Sequence, residues 1–432
     1  MLTPGQSVEL TVEKAAAGGR MLARHDGQVV LVAGAVPGER VTARIERTER
    51  RLAFAAVVEV REASPDRRDG LSDPACGGCV YSHIAYERQL VLKADILREA
   101  FFRLGRIPIE GPIPFAPSPE QGYRIRARFH VNGTRFGFYR EATHTLCDAA
   151  ATGQVTDRAL AAVGEIVGSV TAAGATVTSV ELAESVDASE TALALTIADV
   201  RAVDAAALTR ALSGSGVRGC ALHDERRRTL EIGELELSEQ LSTLTSNRVS
   251  DGELRHRPEA FFQANRFLLP TLVTSVLDAV SSDGPVLDLY AGVGLFAVAL
   301  AGSGRREISA VEGDPVSGAD LEGNAGQSAL PALAVTVDRA SVEDHLRHRS
   351  RAAPAPKTII VDPPRTGISG DAIQAIVKLA APRLVYVSCD PATMARDARR
   401  LLDGGYSIES LRGLDLFPNT PHVEAMGVFT KF

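Results

Sequence analysis

The sequence predicts an α/β protein whose C-terminal part is a doubly wound parallel sheet, preceded by a small β-barrel and a central α+β region. Three observations carry that expectation. Short alternating runs between glycines fill residues 1–62, an arginine-rich hairpin pattern lies near residue 130, and beyond about residue 285 strand-like and helix-like segments alternate. With 432 residues, 45% of them apolar and 23% charged, the chain is long enough for about two to four domains. No run reaches the ~18 apolar residues of a membrane helix, and no basic-then-apolar leader opens the chain. A cytoplasmic protein without a membrane partner is expected. The five cysteines, Cys76, Cys79, Cys147, Cys220 and Cys389, are odd in number and widely spaced, which argues against a secreted disulfide framework. The net charge of −7 weighs against a polyanionic partner, but says little about local patches.

In residues 1–62, alternation marks strands at Val8–Val12, Gln28–Val32, Glu39–Ile45 and Ala53–Val60. Their length and number predict a small antiparallel, OB-like barrel, a fold that presents a face to single-stranded nucleic acid. A linker at 63–70 leads to Cys76-Gly77-Gly78-Cys79, and helical spacing of Leu90, Ile96, Leu97, Ala100 and Phe101 predicts a helix from Ala85 to Leu104, stopped by Gly105. A proline-rich connection follows from Ile107 to Pro119. Tyr123 to Arg140 reads as a hairpin with Asn132-Gly133 at its turn, rich in arginine and aromatics and without an acidic residue. Arg124, Arg126 and Arg128 share one strand face at period two, which suits RNA phosphates. Residues 150–255, with a strand at Thr191–Ile197, complete the α+β region; Cys220 and His223 are read as packing or surface residues. The domains are thus expected at 1–62, 63–106, 107–255 and 256–432.

The C-terminal part alternates strands at Pro285–Leu289, Glu307–Val311, Thr358–Val361 and Leu384–Val387 with helices after Gly294, from Asp371 and from Ala392. Ligands of such sheets bind at the carboxyl ends of the strands. There, Asp288-Leu-Tyr290-Ala-Gly292-Val-Gly294 ends a strand and opens a helix, with glycines that let backbone approach a ligand. Glu312 closes the next strand 24 residues after Asp288, where a carboxylate can bind ribose hydroxyls. Ala297 stands in the region of the third glycine of a dinucleotide fingerprint, so S-adenosylmethionine fits better than NAD. Asp362-Pro363-Pro364-Arg365 follows an apolar strand and places a carboxylate over the same pocket; an arginine after the prolines, in place of an aromatic, points away from an exocyclic amine target. Cys389 sits on the next strand end before Asp390-Pro391 and a helix, whose terminus is expected to favour the thiolate. Glu424, after His422, returns to the pocket as an acid or base. A cysteine and a base suit uracil, whose C5 becomes nucleophilic only after addition at C6 and must then lose its proton.

These motifs together resemble the RNA 5-methyluridine (uracil-C5) methyltransferase family of ribosomal and transfer RNA. The resemblance spans the chain: a TRAM-like barrel, Cys-Gly-Gly-Cys, a central domain, and a class I (Rossmann-like) domain with Phe261-Phe-Gln263-Ala-Asn265, Asp-Leu-Tyr-Ala-Gly-Val-Gly, Asp-Pro-Pro-Arg, Ser-Cys-Asp-Pro and His-Val-Glu-Ala-Met. It implies Cys389 as nucleophile on uracil C6 and Glu424 as base. Gln263, Tyr290, Gly292, Gly294, Glu312 and Asp362 then surround S-adenosyl-L-methionine, and Asp362 also reaches toward the base. Leu295 stands where relatives often carry Asn, which removes one cofactor contact.

Many relatives of this architecture hold a [4Fe-4S] cluster on four cysteines. This chain keeps Cys76 and Cys79, has Gly70 or Ser72 near the place of the upstream cysteine, and carries Cys147 five residues before the expected position near Thr152. Cys76, Cys79 and Cys147 with Asp73 form a candidate metal set, and the sequence leaves both a cluster and its absence open. The reading is an enzyme acting as a monomer on an unstacked uridine of 23S rRNA. A tRNA uridine is the runner-up, and a catalytically vestigial RNA-binding or assembly protein is the alternative from another class.

Overall fold

The computed structural model describes residues 2–70, 75–350 and 353–431. Strands β1 (Ser7–Ala15), β2 (Met21–His25), β3 (Gln28–Ala33), β4 (Arg40–Thr48) and β5 (Leu52–Glu62) close a barrel in the order β1-β2-β3-β5-β4. Alternation explains its core: Val8, Leu10 and Val12 of β1 turn inward onto Val30, Val32, Val41 and Ile45, while Ser7, Glu9 and Thr11 face water. The all-antiparallel expectation is corrected at one seam. Because β4 returns to pair with β1, β5 is left beside β3 and runs parallel to it.

Helix α1 (Tyr86–Ala100) runs on into a π-turn over Phe101–Gly105. Arg106, in the left-handed conformation at φ +54°, ends it, and Gly105 before it is required by packing, since a Cβ there would lie 2.8 Å from the Ala395 carbonyl oxygen. Ile96, Leu97 and Phe101 share a core with Leu287, Leu289, Val361 and Tyr386. Helix α1 is therefore fastened to the last sheet, while the Cys-Gly-Gly-Cys segment before it lies against Tyr139 and Arg140 of the central region, and short β6 (Phe115–Ala116) joins the last sheet at its edge.

The central region contains β7 (Arg126–Asn132), β8 (Arg135–Tyr139), β9 (Leu146–Asp148), α2 (Asp157–Ala172), β10 (Val177–Glu184), β11 (Thr191–Ile197), α3 (Ala205–Ser215), β12 (Gly219–His223) and β13 (Thr229–Gly233). Its sheet runs β13-β12-β11-β10-β7-β8-β9, with Val163, Ile166 and Val167 of α2 and Leu208 and Leu212 of α3 packed on one face. The hairpin turn is Gly133-Thr134 rather than Asn132-Gly133: Asn132 pairs with Arg135, and Gly133 takes φ +64°. Cys220 is buried in this region, and His223 pairs with Glu259 at 3.1 Å. Strand β14 (Leu237–Gln240), α4 (Leu241–Leu244) and β15 (Glu253–His256) lead onward.

The last region contains α5 (Leu269–Ala279), β16 (Val286–Leu289), α6 (Leu295–Gly302), β17 (Ile308–Val311), α7 (Pro315–Ala325), β18 (Val335–Asp338), α8 (Val342–His348), β19 (Thr358–Val361), α9 (Gly370–Leu379), β20 (Arg383–Ser388), α10 (Pro391–Asp403), β21 (Ser407–Leu414) and β22 (Glu424–Thr430). The order is β18-β17-β16-β19-β20-β22-β21-β6, and the strand order reverses between β16 and β19, where ligands of such sheets bind. The purely parallel expectation is corrected at one side: β22 runs antiparallel to both β20 and β21. Among the described residues no helix is long and apolar enough to cross a membrane.

The loop from β21 to β22 is held by α1. Lys93 Nζ donates to Asp415 Oδ1 at 2.5 Å and to the Phe417 carbonyl at 2.9 Å, with both charged side chains fully buried. Gln89 and Asn419 exchange two hydrogen bonds of 2.9 Å. Lys93→Met leaves the Asp415 charge buried without a partner, so a loss of about 3–5 kcal/mol is expected in urea unfolding. Adding Asp415→Leu recovers most of it. No recovery in the double variant would mean that Lys93 acts by packing.

Candidate active site

Four loops at the carboxyl ends of β16, β17, β19 and β20 meet the loop before β22. After β16, Tyr290 is held at φ +61°, an uncommon conformation for an aromatic residue, and Gly292 and Gly294 follow at +56° and +95°. Gly294 caps α6, and a Cβ on it would meet Leu321 Cδ1 at 2.7 Å. A Cβ on Gly292 would meet nothing nearer than the Phe261 carbonyl oxygen at 4.0 Å, so this turn borders open space. Glu312, just after β17, accepts from the Gly292 amide at 2.7 Å and the Asp314 amide at 2.6 Å, tying the two loops together. Asp288 is fully buried at the end of β16, with the Ala297 amide favouring its anion. Burial, with the nearby Asp362 charge, pushes its carboxyl up to about 8. A glycine turn opening on space, an acid bridging it and buried carboxyls beneath it fit a nucleoside cofactor carrying a cation.

Asp362 follows β19 and accepts from Gln263 Nε2 at 3.1 Å; burial pushes its carboxyl up to about 7. Gln263 reaches it because its segment lies along the strand before β7: the Ile125 amide donates to the Ala264 carbonyl at 2.8 Å and the Arg266 amide to the Tyr123 carbonyl at 2.9 Å. Asn265 Nδ2 adds bonds to Ser118 at 2.9 Å and the Leu416 carbonyl at 3.0 Å. The loop after Asp362 is pinned by Asp397, which accepts from the Ile368 amide at 2.8 Å and from Tyr386 OH at 3.0 Å.

The antiparallel register pairs Ser388 with Ala425 and Val387 with Met426. Cys389 follows the last of these pairs and Glu424 precedes it, so two residues far apart in sequence come to the same end of the ladder, where the Glu424 charge acts on the Cys389 thiol. Asp390 caps α10 by accepting from the Thr393 amide at 2.7 Å. The expectation that this helix terminus favours the thiolate is corrected. Burial, then the charges of Glu424 and Asp362, push the thiol up to about 12, opposed by Arg365. Burial and Asp362 likewise hold the Glu424 carboxyl well above its usual range, and Arg365 again opposes. His422 is driven down to about 4 by burial and by Arg365, Arg124 and Lys93, so it is neutral at pH 7.

Two sequence expectations change. Of the three arginines, only Arg128 is exposed. Arg124 donates to Gln154 at 2.7 Å and to the Arg126 carbonyl at 2.9 Å, and Arg126 donates to the Pro258 carbonyl at 3.1 Å, so both serve the fold. The candidate metal set of Cys76, Cys79 and Cys147 is also corrected. Cys76 and Cys147 form a disulfide, with Cys79 buried beside them, and a disulfide sulfur offers no thiolate. Ser72 and Asp73 lie outside the described residues. Among the described residues no group of three or more His, Cys, Asp or Glu is placed to hold a metal ion, so a four-thiolate cluster does not fit this donor set.

The structure brings Gln263, Tyr290, Gly292, Gly294, Glu312, Asp362, Cys389 and Glu424 to the same end of the sheet. Sequence reasoning passed over Asp288, Arg365 and His422 as site residues. Each lies inside a motif already noticed, and an acid ending an otherwise apolar strand was the available signal for Asp288.

Fold and site together define a class I methyltransferase with a nucleoside cofactor. Residues 350–431 match the family model described as tRNA (Uracil-5-)-methyltransferase, and residues 2–58 match the TRAM domain. The chain is 35% identical to the 23S rRNA (uracil(1939)-C(5))-methyltransferase of Halomonas elongata, over 97% of this chain and 88% of that protein. It is 32% identical to the enzyme of the same name in Pseudomonas putida, over 98% of this chain and 94% of that protein. Among solved structures it resembles the Pyrococcus abyssi tRNA (uracil-54, C5)-methyltransferase bound to S-adenosyl-L-homocysteine, with a TM-score of 0.75 and 22% identity, over 98% of this chain and 99% of that one. The chain belongs to the RNA uracil-C5 methyltransferase family, whose members depend on S-adenosylmethionine.

Proposed function

We propose that this chain converts a uridine of 23S ribosomal RNA to 5-methyluridine in the cytoplasm, through a covalent bond between Cys389 Sγ and uracil C6. The observation that supports the mechanism is the ladder of β20 and β22, whose last pair, Ser388 with Ala425, brings the adjoining Cys389 and Glu424 to the same strand ends, with the Glu424 charge acting on the thiol. The ribosomal substrate rests on full-length relatives named for 23S rRNA. A tRNA uridine is the second reading, favoured by the description of the family model over residues 350–431.

The Cys389 thiolate adds to C6 of a uridine turned out of its stack, and the C5–C6 electron pair moves toward O4 as an enolate. When bound, the cofactor supplies an electrophilic methyl group on a positively charged sulfur. Gln263, Glu312 and the turn at Gly292 hold the nucleoside that carries it. With C5 methylated, Glu424 takes the C5 proton; the C–H electron pair re-forms C5=C6, and the C6–S bond breaks to return the thiolate. Arg365 favours the anions of both Cys389 and Glu424. Asp362, beside both, helps to hold the base.

The buried acids make cofactor binding pH-dependent. A cation is held best by ionised carboxylates, and Asp362 and Asp288 ionise near about 7 and about 8. The bound state therefore carries fewer protons, and affinity rises with pH through that window. Calorimetry from about pH 6 to about pH 9 should show S-adenosylmethionine gaining affinity relative to uncharged-sulfur S-adenosylhomocysteine by up to about tenfold per pH unit. Asp362→Asn should remove the lower step. A constant ratio would contradict this placement of the acids.

The RNA class is tested by methyl transfer to 23S rRNA and tRNA transcripts, with mass-spectrometric mapping of 5-methyluridine. The proposal predicts one or more modified uridines in 23S rRNA and none in tRNA. Modification of tRNA alone would favour the second reading; cofactor binding without transfer to either would favour a vestigial RNA-binding role.

A further inference from the structure

The outer face of the central sheet, opposite α2 and α3, is divided in two. On one half, Ala183, Ala192, Ala194 and Ala221 are buried beneath Leu235 and Leu237. The other half is open and chemically different. Period-two alternation puts Arg126, Arg128 and His130 of β7 on this face, and the pairs His130–Gly137 and Asn132–Arg135 bring Arg135 and Tyr139 of β8 to the same side. Phe129, Phe136 and Phe138 alternate to the covered face, with ring centroids 5.4 and 5.3 Å apart.

On the open half, the His130 and Tyr139 rings stack at 3.7 Å with an interplanar angle of 6°, and His144 meets Tyr139 edge-on at 5.2 Å. Both stacked rings are half-exposed. Burial and the charge of Arg128 push His130 down, which keeps its ring neutral at pH 7. Arg128 and Arg135 are exposed; two acids share the face, Glu181, which stands opposite Arg128 and pairs with Arg126 at 3.5 Å, and exposed Asp148, opposite Gly137 at the sheet edge. The strip is continuous with the active site: the Arg126 guanidinium lies 5.8 Å from the Phe261 ring, which is 58% exposed and two residues before Gln263.

We propose that this strip, from Phe261 through Arg126 and Arg128 to His130 and Tyr139, is the track for the single-stranded RNA that flanks the target uridine. Arg128 and Arg135 meet phosphates, and one flanking base extends the His130–Tyr139 stack. Stacked rings beside exposed arginines suit unpaired RNA, because every base offers a π-face and every linkage a charge. The inference rests on the reading that the substrate is RNA, and it adds which strand segment docks and where.

The test is steady-state methylation of a single-stranded RNA substrate by full-length protein, comparing wild type with His130→Ala/Tyr139→Ala and with His130→Phe/Tyr139→Phe. Loss of one stacked base should raise KM for RNA by about tenfold or more, with kcat and cofactor affinity unchanged, and the phenylalanine pair should restore KM. Arg128→Gln, a surface change that does not depend on ring packing, should reduce the salt dependence of RNA binding by about one phosphate contact. Normal KM in the alanine pair together with an unchanged salt slope in Arg128→Gln would overturn the track while leaving the methyltransferase reading intact. Failure of wild type to bind or methylate any RNA would overturn that reading and the track with it.

Discussion

Cys389→Ala is expected to abolish methyl transfer, lowering the rate by at least about 10⁴-fold while leaving the fold and cofactor affinity unchanged. The size of the loss follows from the chemistry: without a nucleophile at C6, C5 of uracil has no enolate with which to attack a methyl group. The side chain is small and only half-buried at a strand end, so its removal leaves little cavity. Cys389→Ser is expected to be nearly as inactive, because an alcohol in a site that already pushes a thiol up to about 12 cannot supply a useful anion. The same environment predicts that the addition step in wild type speeds up with pH, as the thiolate fraction grows. Single-turnover methylation with radiolabelled cofactor, with a thermal melt as the folding control, reads all of this. Substantial turnover by Cys389→Ala would remove the covalent mechanism.

Glu424→Gln is expected to produce a different defect. Addition and methylation proceed, but the C5 proton has no acceptor, so methylated RNA remains attached to Cys389. Turnover falls by about 10²–10⁴-fold, as expected for loss of a general base. A band stable to denaturant, containing protein, RNA and the labelled methyl group, accumulates with ordinary uridine. The variant should fold, since Gln matches Glu in size and removes a buried charge that the site holds only at a cost. A Glu424→Gln enzyme that turns over normally, or that stalls before methylation, would move the base to another residue; Asp362, beside the same thiol, is the next candidate.

Much of the last region was legible because its buried parallel strands are short apolar runs ended by turn formers: Val286–Leu289 before Tyr290, Thr358–Val361 before Asp362-Pro363, and Arg383–Ser388 before Cys389. Each loop bore a residue with chemistry, and topology collects such loops at one end. What stayed hidden depends on long-range partners. The antiparallel entry of β22, which brings Glu424 to the strand end that carries Cys389, is a register, and register is decided by neighbours rather than by local pattern. The Cys76–Cys147 bridge joins residues 71 apart; odd number and wide spacing argued against a disulfide framework, and the resemblance to cluster-bearing relatives pointed to metal. Alternation placed Arg124, Arg126 and Arg128 on one face, yet packing of Phe138 and Phe417 near Arg124 and of Glu181 near Arg126 decided that two of them serve the fold. Local position before a helix favoured the Cys389 thiolate, but burial among carboxyls outweighs it.

The covalent adduct is the central claim, and 5-fluorouridine tests it most directly. Fluorine at C5 cannot leave as a proton, so the cycle halts with RNA bonded to the enzyme. Wild-type protein mixed with 5-fluorouridine-substituted 23S rRNA fragments and S-adenosylmethionine should give a retarded band on a denaturing gel, absent without cofactor and absent in Cys389→Ala. Methylation of ordinary RNA with no trapped band under the same conditions would contradict the account.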